Sequence, residues 1–171
     1  MALGMDEDLD VLAARLGEAL RERGQRLATA ESCTGGWVAK VCTDIAGSSD
    51  WFECGLVSYS NRSKQALLGV AATTLATHGA VSRETVLEMV QGALARTQAD
   101  WAVAISGIAG PGGGTPDKPV GTVWLAWAGP DGWQETLCGH FPGDREAVRH
   151  ASVRTALGGL LERLAHEACD E

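Results

Sequence analysis

Apolar residues recur along the chain at helical spacing in some stretches and as short continuous runs in others. Leu9, Leu12, Leu16 and Leu20 keep to one face within residues 6–23, with charges on the other face and Gly24 placed as a stop, so the pattern predicts an amphipathic first helix. Residues 25–30 read as a short strand, and residues 36–45 as a helix with Trp37, Val38 and Val41 on one side. Ala46-Gly47-Ser48-Ser49-Asp50 breaks that helix before strand-like character resumes over 55–60. Ser60 or Asn61 is suited to cap a helix running through Ala66, Leu67 and Leu68. Ser82 caps another amphipathic helix through about residue 98, with Val86, Met89, Val90 and Leu94 as its inner stripe and Glu84 near its positive end.

Trp101-Ala102-Val103-Ala104-Ile105 is continuously apolar, as a strand buried on both faces requires. It opens into Ser106-Gly107-Ile108-Ala109-Gly110-Pro111-Gly112-Gly113-Gly114-Thr115-Pro116, too glycine-rich for regular structure. Residues 120–128 and 133–141 form two strands about the turn Gly129-Pro130-Asp131-Gly132, an antiparallel hairpin. Asp144 then caps a final helix with Val148, Ala151, Leu157, Leu160, Leu161 and Leu164 on its apolar face. Strands alternating with helices, plus one hairpin, predict an α/β fold with a mixed sheet and helices on both sides. With no internal repeat and no linker, residues 1–171 read as one domain with an ordered core over about 9–165.

Composition narrows the partners. Lys+Arg is 14 against Asp+Glu 22, a formal charge of -8, which argues against general binding to nucleic acid or to an anionic membrane. The five cysteines are scattered and never form a CxxC pair, which suits reduced thiols and a cytoplasmic location. Met1 to Asp10 lacks the blocks of a signal peptide, and no apolar stretch approaches the roughly 18 residues of a membrane span. His78, His140, His150 and His166 lack zinc-ligand spacing, and no metal is assigned.

In an open α/β sheet, ligands gather at the carboxyl ends of the strands. Three strand ends here lead into polar corners: Glu31, Ser32, Cys33 and Thr34; Tyr59, Ser60, Asn61 and Lys64; and Ser106 with the glycine loop. A fourth group, Asp144 and Arg145, opens the last helix. The run Thr29-Ala30-Glu31-Ser32-Cys33-Thr34-Gly35-Gly36 offers an anion seat at a helix N-terminus, or simply a turn capped by Thr34. The glycine loop is not a Walker motif, because Gly113 stands where that pattern needs lysine. It can wrap a ligand with backbone N–H groups, act as a lid, or serve as a plain surface connection.

Lys64, if desolvated, can lose its proton and activate Ser32, Ser49 or a water; otherwise it is a solvated surface lysine. Cys33 is a rival nucleophile or a small buried hydrophobe. Trp101, Trp124 and Trp127 belong to the core, while Trp37 and Trp51 are candidates to border a ring-binding pocket.

Six motifs in order resemble one family. They are Thr29-Ala30-Glu31-Ser32-Cys33-Thr34-Gly35-Gly36, Gly47-Ser48-Ser49-Asp50-Trp51-Phe52, Ser58-Tyr59-Ser60-Asn61, His78-Gly79-Ala80-Val81-Ser82, Ser106-Gly107-Ile108-Ala109-Gly110-Pro111 and Lys118-Pro119-Val120-Gly121-Thr122-Val123. Together they are similar to the CinA C-terminal domain family in its stand-alone form, whose characterised members are nicotinamide-nucleotide amidohydrolases. The resemblance implies a three-layer αβα sandwich with a mixed, mostly parallel sheet. It implies hydrolysis of the carboxamide of nicotinamide mononucleotide to nicotinate mononucleotide and ammonia, in pyridine nucleotide recycling, by a homodimer without metal or other cofactor. Carried over residue by residue, Ser32, Tyr59 and Lys64 are catalytic, joined by Ser49. Glu31, Thr34, Gly35, Gly36, Ser106, Gly107, Gly110 and Arg145 contact the substrate. The resemblance leaves open whether Ser32 or Ser49 attacks directly or positions a water. The alternative class is a non-catalytic nucleotide-binding or competence-related regulatory module.

Overall fold

The computed structural model describes residues 8–170. Its elements in chain order are α1 (Leu9–Arg23), β1 (Leu27–Glu31), α2 (Trp37–Thr43), β2 (Phe52–Val57), α3 (Asn61–Leu68), α4 (Ala72–His78), α5 (Arg83–Arg96), β3 (Trp101–Gly107), β4 (Thr122–Ala128), β5 (Gln134–His140) and α6 (Arg145–Cys169). The first two positions assigned to the opening helix, 6 and 7, lie outside the described residues.

Four of the helix ends follow the capping chemistry that the sequence suggested. Gly24 closes α1 in the left-handed conformation at φ 63, and its N–H returns to Arg21 and Leu20. Ser60 and Ser63 form a reciprocal capping box on α3. Ser82 accepts from the Thr85 amide at the start of α5, and Asp144 accepts from the Ala147 amide at the start of α6. The short helix α4 was not anticipated: it contains no buried residue and therefore no apolar rhythm to read.

The five strands lie in the order β2-β1-β3-β4-β5. β1 pairs in parallel with both β2 and β3, whereas β3–β4 and β4–β5 are antiparallel, so only β4 runs against the rest. This is the mixed, mostly parallel sheet expected, with the hairpin at its β5 edge. Every residue of the inner strand β1 is buried, while β2 at the opposite edge is half open.

Alternation along the strands sorts side chains by size. Leu27, Trp101, Val103, Ile105, Val123, Leu125 and Trp127 enter one core with the leucines of α1 and the apolar face of α6. The opposite face presents Ala28, Ala30, Ala102, Ala104, Ala126 and Ala128 to Val86, Met89, Val90 and Ala93 of α5. Small side chains on that face let α5 approach closely. Gly92 belongs to the same fit, since a Cβ there would lie 1.8 Å from the Leu68 carbonyl oxygen at the end of α3. The result is three layers, with α1, α2 and α6 on one side and α3, α4 and α5 on the other.

Candidate active site

The ends of the three parallel strands are tied directly to one another. The Ser32 amide, just past β1, donates to the Ile105 carbonyl of β3 at 3.0 Å. On the other side, the Ser58 amide just past β2 donates to the Glu31 carbonyl at 2.8 Å. Their corners therefore meet on a single rim, and a cavity of about 230 Å³ opens there. Its wall includes Ser32, Tyr59, Lys64, Ser106, Gly107 and Arg145, all candidates from the sequence. Asn61, named in one of the polar corners without a role, also lines it, as do Ala80, Val81 and Ala109, which the sequence did not mark as site residues. Ala80, Val81 and Ala109 carry no reactive group, so only their membership of recurring motifs hinted at a role.

Lys64 is 1% exposed, an unusual state for a lysine. It projects from the first turns of α3, and its Nζ donates to Ser32 Oγ at 2.9 Å and to the Ser58 carbonyl at 2.9 Å. Burial pushes its ammonium below the ordinary value of 10.5. A solvated surface lysine is thereby ruled out, and the amine is prepared to exchange a proton with the serine hydroxyl it touches.

Tyr59 and Arg145 form the open side of the cavity. Arg145, the first residue of α6, donates through Nη2 to the Tyr59 hydroxyl at 3.0 Å and through Nη1 to the Gly110 carbonyl at 2.8 Å. Tyr59 is 62% exposed, so the mouth of the site faces solvent. Gly110, expected to contact the substrate, is buried and does not line the cavity; its link to the site is the carbonyl that accepts from Arg145. Among the described residues no acidic side chain stands on the wall, and Arg145 brings a positive charge to it within a chain of net charge -8.

Several candidates fall elsewhere. Glu31 is buried, and its carboxylate accepts from the Thr34 hydroxyl at 2.7 Å, the Val38 amide at 2.9 Å and the Ala39 amide at 3.1 Å. That carboxylate fills the N-terminus of α2, where the sequence had suggested a seat for an external anion. Thr34 is fully buried with its hydroxyl spent on Glu31, so it neither caps α2 nor reaches a ligand. Gly36 is the cap residue, at φ 103, and neither it nor Gly35 lines the cavity.

Ser49 lies in the 3-10 turn before β2, exposed, with its carbonyl accepting from Arg26 at 3.1 Å. The six residues of β2, at about 3.3 Å each, put it roughly 20 Å from Tyr59 at the other end of the sheet. Within this chain it does not join Ser32 and Lys64. Cys33 does touch the cavity, but burial pushes its thiol up to about 11, so it stays protonated near neutral pH and is no rival nucleophile. Trp51 is fully buried in the core, and Trp37 packs against His150 and Arg149; neither borders the cavity. A larger groove of about 830 Å³ between the β4–β5 hairpin and α6 contains none of the candidate residues.

The sequence profile of the CinA C-terminal domain matches residues 9–164. The chain belongs to the CinA C-terminal domain family. Among its relatives is the nicotinamide-nucleotide amidohydrolase PncC of Escherichia coli strain K12, 55% identical over 158 residues that span 92% of this chain and 96% of that protein. The Pseudomonas putida protein of the same name is 52% identical over 157 residues, covering 91% and 97% of the two chains. Among solved structures, the competence/damage inducible protein CihA from Agrobacterium tumefaciens superposes with a TM-score of 0.90 at 45% identity, covering 95% of this chain and 98% of that one. The three-layer sandwich is thus the fold of the CinA family, as its motifs implied.

Proposed function

We propose that this chain is a nicotinamide-nucleotide amidohydrolase that converts nicotinamide mononucleotide to nicotinate mononucleotide and ammonia, serving pyridine nucleotide recycling. The observation that carries this reading is the contact of Lys64 Nζ with Ser32 Oγ at 2.9 Å on the wall of a cavity with Arg145 at its mouth, in a chain 55% identical to a PncC amidohydrolase. A buried amine beside a serine hydroxyl is a base and nucleophile suited to cleaving an amide.

In the proposed reaction, Lys64 in its neutral form takes the Ser32 proton as Oγ attacks the carboxamide carbon. The oxyanion that forms is met by hydrogen-bond donors on the wall of the cavity. The C–N bond breaks as the proton passes from Lys64 to the nitrogen, and ammonia leaves. Water, deprotonated by the same amine, then attacks the Ser32 ester; the acyl–oxygen bond breaks as Lys64 returns that proton to Ser32 Oγ, and nicotinate mononucleotide leaves. Lys64 ends in its starting state.

In this reading Arg145, which donates to the Tyr59 hydroxyl at the mouth, holds the phosphate of the ribotide, and Tyr59 orients Arg145 and the substrate. A local cation meets that need without making the protein basic overall. By the same family resemblance, the working form is a cytoplasmic homodimer.

The test is ammonia release from nicotinamide mononucleotide compared with free nicotinamide. This reading expects a kcat/KM for the mononucleotide at least about 100-fold higher, because remote binding to the phosphate serves the chemical step. Equal rates on both amides would point to a general amidase. Saturable binding of the nucleotide with no ammonia would instead support a regulatory binding module.

A further inference from the structure

Arg149 lies one turn beyond Arg145 on α6 but does not line the cavity. Its Nε donates to the Cys33 carbonyl at 3.0 Å, and its Nη2 donates to the Thr34 carbonyl at 3.2 Å. The guanidinium also lies 5.5 Å from the centre of the Trp37 ring, which fixes its plane. The two carbonyls it holds belong to the two residues that follow Ser32.

That stretch is closed on itself by the Gly35 amide donating to the Ser32 carbonyl at 3.0 Å and by the Thr34 hydroxyl donating to Glu31 at 2.7 Å, and Arg149 ties it to a separate helix. On its upstream side Ser32 is pinned by its amide to Ile105. Downstream, the chain turns through Gly35 and Gly36 at φ 61 and 103, backbone conformations that favour glycine. Arg149 anchors the intervening segment to a helix of 25 residues, whose first turns also carry Arg145. One rigid element thereby holds both the nucleophile loop and, through Gly110 and Tyr59, the mouth of the cavity.

We infer that Arg149 is a positioning residue for amide hydrolysis: by holding the Cys33 and Thr34 carbonyls it keeps Ser32 Oγ in register with Lys64 Nζ. This rests on the reading of Ser32 as nucleophile. Arg149 acts through the loop and touches no substrate, so its loss affects the chemical step more than binding. Lysine is a poor replacement because one ammonium cannot reproduce the planar fork that meets two carbonyls while packed on an indole.

The experiment compares kcat and KM for nicotinamide mononucleotide in the parent, Arg149→Ala and Arg149→Lys, with and without millimolar guanidinium. Arg149→Ala should lose about 100-fold in kcat with KM within about threefold, the pattern of a misplaced nucleophile. Arg149→Lys should lose about tenfold in kcat, again at nearly constant KM. Guanidinium should raise kcat several-fold in Arg149→Ala and leave the parent and Lys64→Met unchanged. A kcat within threefold of the parent, a KM that rises as kcat falls, or no rescue would each overturn the inference. Should Arg149→Ala not fold, Arg149→Lys decides by the same criteria.

If the parent releases no ammonia, the functional reading fails on its own, and Arg149 is judged by labelling of Ser32 with a fluorophosphonate. Labelling at least tenfold slower in the Arg149 variants sustains the positioning role, and equal rates overturn it.

Discussion

Lys64 Nζ donates to Ser32 Oγ at 2.9 Å, although the two residues stand 32 positions apart on separate strand-to-helix corners. Both are buried, and the amine has one further partner, the Ser58 carbonyl. The contact depends on β2 lying beside β1 in parallel, which delivers the start of α3 to the end of β1. The fold thus builds the pair from two polar corners that are remote in sequence and adjacent at one rim.

Lys64→Met keeps the length and apolar stem of the side chain while removing the base. The expected outcome is a loss of at least about 1000-fold in kcat with the fold preserved by circular dichroism. Turnover within a few-fold of the parent would remove Lys64 from the mechanism.

The same lysine sets a pH dependence. Burial lowers its folded-state value below 10.5, and the proposed reaction uses the neutral amine, so kcat/KM should rise with pH along a limb centred below 10.5. Stability should move in the same direction. Between the folded value and 10.5 the unfolded chain binds more protons than the folded one, so the parent gains stability relative to Lys64→Met as pH rises through that window. Melting temperatures measured for both proteins across the window check the sign.

Glu31 is assigned to the architecture of the loop. Glu31→Ala removes the acceptor for one hydroxyl and two amides in a buried place, which should cost about 2–3 kcal/mol. For a chain of this size that is a fall of roughly 5–10 °C in Tm. KM for the nucleotide should stay within about threefold, and a large rise in KM at unchanged Tm would return Glu31 to the substrate site.

These two acidic and basic residues show what can and cannot be read from the sequence. Both stand in polar corners after strands, and the motif around each marks the corner as unusual. The direction each side chain takes depends on contacts across the fold. Glu31 continues the inward alternation of β1 and turns to the amides of α2, while Lys64 reaches back along α3 to a different strand end. Residues with strong local rules were legible: the leucine stripe of α1, the caps Ser60, Ser82 and Asp144, and the apolar run of β3. Ala80 and Val81 were not, because they shape the wall by position alone. Ser49 is the converse case: its motif is one of those that carry the family resemblance, but within this chain it leads into β2 instead of leaving it, at the far end of the sheet from Ser32 and Lys64.

Ser49→Ala should therefore retain kcat and KM within about twofold of the parent, since its loss leaves the cavity wall untouched. A collapse of kcat in this variant would mean that a neighbouring subunit brings Ser49 to the site, and a mixed oligomer of Ser49→Ala with Lys64→Met chains would then recover activity.

The most direct measurement is the release of ammonia and nicotinate mononucleotide from nicotinamide mononucleotide by purified parent and Ser32→Ala proteins. The parent is expected to yield the two products in equal amounts. Ser32→Ala is expected to fall by at least about 1000-fold in kcat while still binding the nucleotide. Ammonia release by Ser32→Ala within a few-fold of the parent would contradict the account at its centre.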